Sequence, residues 1–317
     1  MKKTIKKRAF VSAIAMLIVS AIVLTSSTFA WFSMSKQATV DSMDLTVSSP
    51  EGIQISANAS AWTANLTIDE IFNTDDTTTS RYDAYKDNAN LYPADLIPVS
   101  SSFEYSDAAG MGRVNFYKAT LNDKGYANVS AVSQTAGNAD NAGLIAFDLF
   151  FKVANDTTVY FGTSEFKDNS SSDVLTALRV GFTPLGNVPI GSTAAEAQAL
   201  NKFKKGEGNI VYEVDSMNRS ADAASLGQTP DSKIPTKYIA ATGAAGQTTN
   251  GILDNGQTKA TAAKLITDTD NASVKSFNLK AGVTKMRVFL WVEGNDIDCQ
   301  NSIAGAAFTA ALKFTID

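Results

Sequence analysis

Three carboxylates and one thiol lie close together in "EGNDIDCQN", positions 293–301. Glu293, Asp296 and Asp298 supply hard oxygen ligands at a spacing that could hold Ca²⁺. The alternative is a solvated hairpin loop between two strands, in which the acids have no ligand. The segment therefore predicts either a calcium site or an ordinary loop, and no other cofactor is expected.

The absence of histidine limits what else the chain can do. None of its 317 residues is a histidine. This removes the commonest general base, the commonest zinc ligand and every mechanism that pairs histidine with serine or cysteine. A glycosidase that uses two carboxylates is the hydrolase class left open, and no motif singles out such a pair. We therefore expect a protein that is not an enzyme.

Cysteine and charge narrow the range of partners. Cys299 is the only cysteine, so no disulfide can form within the chain. We expect it to be a buried, small apolar residue rather than a link to another molecule. The formal net charge is −5, and five of the positive charges lie within the first eight residues. An acidic chain without a basic cluster argues against nucleic acid and anionic lipid as partners.

The N-terminus has the pattern of an export signal. A basic start, "MKKTIKKRAF", leads into an apolar run that ends at Leu24, and small residues follow. Thr28 and Ala30 occupy positions −3 and −1 of a cleavage site before Trp31, which makes residues 1–30 a signal peptide. The protein is then secreted, with a signal peptidase as partner during export and membrane contact only before cleavage. The alternative is an uncleaved anchor, although the run is shorter than the roughly 20 residues of a spanning helix.

The rest of the chain alternates with the period of β-strands. Apolar residues recur at every second position in 43–47, 286–292 and 308–316, and residues 144–153 form a denser apolar run typical of a central strand. In 286–292 the other set of alternating positions includes Phe289 and Trp291, so we expect both faces to be covered. These patterns predict an all-β sandwich.

The sequence also predicts two short helices and several polar loops outside the strands of the sandwich. Thr67 stands three residues before Glu70 and Thr193 three before Glu196, and each pair predicts a capping box. The second helix is predicted to run as far as Lys205, before Gly206. Residues from about 215 to 275 are rich in small polar types and are interpreted as a long loop insertion in one domain, residues 49–317.

The junction "STFAWFS", followed by the alternating "ATVDSMDLTV", resembles the N-terminus of the TasA/camelysin family, exported fibre-forming proteins of Gram-positive bacteria. The resemblance covers roughly residues 10–48. Thr28, Phe29 and Ala30 match the end of the family's signal, and Trp31 and Phe32 match the aromatic start of its mature chain. The resemblance implies a jelly-roll-like antiparallel sandwich and assembly by donor-strand exchange.

In donor-strand exchange, the N-terminal segment of one subunit adds a strand to the next. The resemblance assigns this role to residues 31–48, with Trp31 and Phe32 as anchors and with alternating side chains from Val40, Met43, Leu45 and Val47. The partner is then a second copy of the chain, in a head-to-tail homopolymer at the cell surface or in a biofilm matrix. Alternatively, residues 31–48 form the domain's own first strand, and the protein is a monomeric adhesin or carbohydrate-binding module.

Overall fold

A computed structural model describes the backbone of most predicted strands. The ranges that it describes are 43–48, 52–72, 96–106, 111–121, 127–132, 143–162, 164–170, 172, 174–201, 210–215, 264–267, 271, 273–294, 299, 303 and 306–316. Side chains are described for only part of these ranges, and those of 43–48 are not among them.

One layer of the molecule is a six-stranded sheet. In spatial order its strands are β12 (Lys264–Thr267), β11 (Ile210–Glu213), β10 (Leu178–Val188), β14 (Gly282–Val292), β7 (Ile145–Val153) and β2 (Ile53–Ser56). Neighbours are antiparallel except β11 and β12, which are parallel. Every residue of β14 is buried, and so is nearly every residue of β7. The prediction that both faces of β14 are covered is therefore confirmed.

A second, four-stranded sheet contains both the first and the last described strands. Its order is β3 (Asn65–Thr67), β1 (Met43–Ser48), β15 (Phe308–Lys313) and β9 (Glu165–Asp168). Two smaller sheets complete the fold. One pairs β13 (Ser276–Leu279) with β8 (Thr157–Tyr160), and the other has the order β4 (Ser100–Ser106), β5 (Met111–Leu121) and β6 (Ala127–Ala131).

Aromatic side chains join the layers into one core. Phe151 and Phe182 of the six-stranded sheet contact Phe314, which directly follows β15, at ring-centroid distances of 5.0 and 6.0 Å. Phe277 of β13 contacts the same three rings. Edge-on pairs of this kind add to the free energy gained by burying the rings. The all-β sandwich is thus confirmed, whereas the jelly-roll order of its strands stays a prediction.

The second face of the six-stranded sheet is also covered. At one end, Phe116 of β5 packs edge-on against Trp291 at 5.2 Å. At the other end, Phe150 and Val283 form an apolar cluster with Ala197 of a short helix. Because β14 carries apolar side chains toward both layers, it can lie in the middle of the molecule.

Three charged side chains lie between these two apolar clusters. Arg287 Nε is 2.5 Å from Asp148 Oδ1, and Lys285 Nζ is 2.9 Å from Asp148 Oδ2. All three are buried. One carboxylate on β7 therefore holds two cations of the adjacent strand β14, where an uncompensated charge would be costly.

The described helices are short, and both predicted capping boxes are present. They are α1 (Ile68–Phe72), α2 (Val174–Ala177) and α3 (Ala194–Gln198). Thr67 N–H and Thr193 N–H each donate to the glutamate three residues on, at 2.9 and 2.8 Å. The predicted extent of the second helix is wrong, because α3 ends at Gln198 rather than near Lys205. The Gln198 carbonyl accepts a hydrogen bond from Lys285 Nζ at 2.8 Å, which satisfies this end of the helix from a neighbouring strand.

The connection after β14 differs from the expected hairpin. β14 and β15 belong to different sheets, so the chain crosses between layers here. Cys299, Ile303 and Ala306 lie buried in the core along this crossing. The prediction that Cys299 is a buried apolar residue is confirmed. Within the tract predicted as an insertion, β12 is a strand at the edge of the sheet, and 216–263 lies outside the described residues.

Candidate assembly strand and buried acid cluster

Strand β1 fills the space between the last strand and β3. It pairs in parallel with β15 over six residues, from Met43 opposite Phe308 to Ser48 opposite Lys313. On its other side it pairs antiparallel with β3 over three residues. An inner strand uses backbone groups on both of its edges. Removal of β1 would therefore leave unpaired backbone groups on β15 and on β3.

The two strands that flank this space bury apolar side chains in the core. Phe308, Ala310 and Leu312 of β15 are buried, as is Leu66 of β3. Their alternation matches the predicted pattern for 308–316, because every second residue of β15 faces the core. A strand placed here thus completes a sheet over an existing core.

The structure places only part of the predicted assembly segment. Met43, Leu45 and Val47 stand at the register positions of Phe308, Ala310 and Leu312. The other predicted residues of the N-terminus lie outside the described residues, namely Thr28, Ala30, Trp31, Phe32 and Val40. In the single chain, residues 43–48 pair with the domain's own strands.

A short connection separates β1 from β2. Only residues 49–52 lie between these strands, which belong to different sheets. Gly52 has φ +101°, and a Cβ on it would meet Ile316 Cδ1 at 3.2 Å. Glycine suits this position because other residues are strained at such φ values.

Glu293 lies in a second polar cluster, at the end of β14. Its Oε2 accepts hydrogen bonds from Ser101 Oγ at 2.7 Å, Ser101 N at 3.2 Å and Trp291 Nε1 at 3.0 Å. The residue is buried, so it does not belong to a solvated loop as the alternative interpretation of the segment supposed. Its carboxylate fixes the three-stranded sheet to the sandwich through Ser101.

The structure describes only one of the three predicted calcium ligands, Glu293. Asp296 and Asp298 lie outside the described residues. Among the residues that the structure describes, no group of three or more acids, cysteines or histidines is placed to hold a metal ion. A Ca²⁺ ion bound through Glu293 would have to share a carboxylate that already accepts bonds from Ser101 and Trp291. The calcium site stays a prediction.

Burial raises the pKa of Glu293, while the hydrogen bonds from Trp291 and Ser101 and the charge of Arg179 oppose that rise. Arg179 is itself buried, and its Nη2 is 3.1 Å from Glu213 Oε1. The cluster thus brings two acids and one guanidinium together inside the protein. Sequence patterns missed it, because Arg179 and Glu213 stand on strands whose pairing the sequence does not reveal.

The raised pKa of Glu293 predicts a pH effect on stability. Because the folded state holds the proton more tightly than the unfolded state, Glu293 favours folding at low pH, and this contribution is lost as the pH rises from about 4.5 through the folded pKa. Glu293→Gln cannot titrate. The free energy of unfolding of the native chain should therefore fall relative to that of the variant as the pH is raised from 4 to 8, measured by urea unfolding. A constant difference between the two chains across this range would contradict the assignment.

Within the described residues, no helix combines the length and the apolarity needed to cross a membrane. Nothing matches the chain among protein-family models, curated proteins or solved structures.

Proposed function

We propose that the chain is a non-catalytic subunit of an extracellular fibre in which β1 is exchanged between neighbouring subunits. The observation that carries this proposal is the place of β1. It is the first described strand, and it lies in the middle of a sheet beside the last strand. A strand near a chain terminus can be withdrawn without threading the chain through the fold.

Exchange would conserve the contacts of β1. A copy from a neighbour can make the same parallel ladder with β15 and the same antiparallel pairs with β3. The open space presents backbone donors and acceptors over an apolar floor, which is the requirement for strand addition. Because the donor and acceptor surfaces differ, the contact is head-to-tail and grows into a filament.

The short connection at 49–52 favours exchange of β1 between subunits over its pairing within its own domain. Short hinge segments are known to promote the exchange of an element between copies. In the exchanged form the connection extends from one subunit to the next, with the N-terminal aromatics Trp31 and Phe32 as additional anchors. A secreted fibre of this kind requires the predicted export signal, which is cleaved before Trp31.

The buried acids favour a structural role over hydrolysis. A carboxylate hydrolase needs two acids that face each other across an open cleft. Glu213 and Glu293 instead lie buried around Arg179. Burial and pairing with Arg179 suit a structural cluster that joins strands.

Electron microscopy of two chains tests the proposal. A chain that begins at Trp31 is expected to form filaments, whereas one that begins at Ser49 should form none. Negative-stain images at equal protein concentration provide the comparison. Circular dichroism of the shorter chain must show β-structure, so that a lack of filaments is not due to unfolding. A synthetic peptide with residues 38–48 should raise the thermal midpoint of the shorter chain. Filaments from both chains would contradict the role of β1.

A second candidate function is a monomeric surface binding module. It is favoured by a half-open cavity of about 450 Å³ beside the end of β2, a size typical of small-molecule sites. In that case both chains stay monomeric and folded, and Trp31 to Val47 have no role in assembly.

A further inference from the structure

The cavity beside β2 has walls from several parts of the fold. β2 contributes Gln54, and the end of β7 contributes Lys152, which is the register partner of Gln54. The segment after β2 contributes Trp62, and the turn before α3 contributes Ile190 and Ser192. Its size of about 450 Å³ accommodates one or two sugar units.

Hydrogen bonds hold one wall of the cavity in place. The segment after β2 makes a turn in which Asn58 Oδ1 accepts from the N–H groups of Ser60 and Ala61, both at 2.9 Å. Gln198 Nε2 of α3 donates to the Asn58 carbonyl at 2.6 Å. Ala59 has φ +59°, an unusual value for a residue other than glycine, and these bonds maintain it. Trp62 is thus carried by a fixed turn, and the wall exists before any ligand arrives.

Among the described residues that line the cavity, Lys152 is the only charged one. Its Nζ lies 4.4 Å from the centre of the Trp62 ring. Partial burial lowers the pKa of this ammonium. Within the described part of the chain, the ring is its only partner, so its N–H groups can bind an anion.

Other groups around the cavity can also bind a polar ligand. The side chains of Gln54 and Ser192 and the indole N–H of Trp62 have no hydrogen-bond partner among the residues that the structure describes. Ile190 is 52 % exposed, and it is the one large apolar side chain so exposed among the described residues. Hydroxyl and amide groups beside an apolar surface suit a sugar ring, which has polar edges and apolar faces.

We infer that this cavity binds a hexuronate unit of an acidic polysaccharide, with the sugar carboxylate on Lys152 and an apolar face of the ring against Ile190 and Trp62. Gln54 and Ser192 then bind hydroxyl groups of the sugar. Glu196 does not line the cavity, and its carboxylate accepts hydrogen bonds from the N–H and the hydroxyl of Thr193. The inference is independent of β1, because the cavity is complete in a single chain.

Matched pairs of sugars test the inference. The chain that begins at Trp31 is titrated calorimetrically with methyl glycosides of D-glucuronate and D-galacturonate, and with the glucoside and galactoside that lack the carboxylate. We expect a dissociation constant on the order of 1 mM for at least one uronide. The matching neutral glycoside should bind at least tenfold more weakly, because it leaves the Lys152 ammonium without an anion.

Two variants, each of which removes one lysine charge, complete the test. Lys152→Gln should weaken uronide binding at least tenfold. Lys167→Gln, on the exposed edge strand β9, removes the same charge elsewhere and should leave binding unchanged. Equal thermal midpoints show that both variants are folded. The inference is overturned if neither uronide binds below about 20 mM, if the neutral sugar binds equally well, or if Lys152→Gln binds like the native chain. None of these outcomes depends on filament formation, so this inference and the proposed fibre can fail separately.

Discussion

A disulfide that fixes β1 in its own domain is expected to abolish filament formation. Thr46 of β1 is the register partner of Ala311 of β15. Cysteines at both positions, in a chain whose Cys299 is replaced by alanine, stand on adjacent strands at a spacing that a disulfide can bridge. Oxidation of the dilute monomer should close this bond within one chain. β1 can then no longer reach a neighbour.

Reduction of this disulfide provides the control. When the same preparation is treated with dithiothreitol, β1 is released and filaments should appear in negative-stain images. Each single-cysteine variant, treated in the same way, should assemble both before and after reduction. Filaments from the oxidised double variant, with its disulfide verified by mass, would contradict strand exchange.

Asp148→Asn is expected to have the largest effect on stability of any single change considered. The side chain of Asp148 lies between Lys285 and Arg287, and all three are buried. Loss of its charge leaves two cations inside the protein without their anion. Breaking a buried ion pair in this way costs about 3–5 kcal/mol of the free energy of unfolding. Urea unfolding of the unassembled chain measures this difference.

Asp156 supplies a matched control for this substitution. It also binds a lysine, Lys280, at 2.6 Å, but both side chains are well exposed. Asp156→Asn should therefore change stability very little, since exposed ion pairs contribute little. Equal losses in the two variants would show that burial does not determine the importance of Asp148.

The sequence predicted those elements whose signal is local. The alternation in 286–292 indicates a strand covered on both faces, and β14 is such a strand. Thr67 and Thr193 predicted helix starts, because a capping box needs only residues three apart. The end of α3 was missed, since it depends on Lys285, which is remote in sequence.

The polar sites were harder to predict because their parts come from distant positions. Ser101 and Glu293 are 192 residues apart in sequence and meet through sheet packing. Similarly, the cavity beside β2 depends on the pairing of β2 with β7. Strand pairing of this kind is non-local, and a single sequence does not specify it. The three-stranded sheet was missed because β4, "SSSFEYS", resembles a polar loop.

Disulfide mapping of assembled filaments tests most directly which subunit's sheet β1 joins. The variant with cysteines at 46 and 311 is assembled under reducing conditions, then oxidised and run on a denaturing gel without reductant. The account predicts a ladder of covalent dimers, trimers and longer chains, because β1 of one subunit pairs with β15 of the next. Filaments that yield only disulfide-closed monomers would show that β1 stays in its own domain, and would contradict the account.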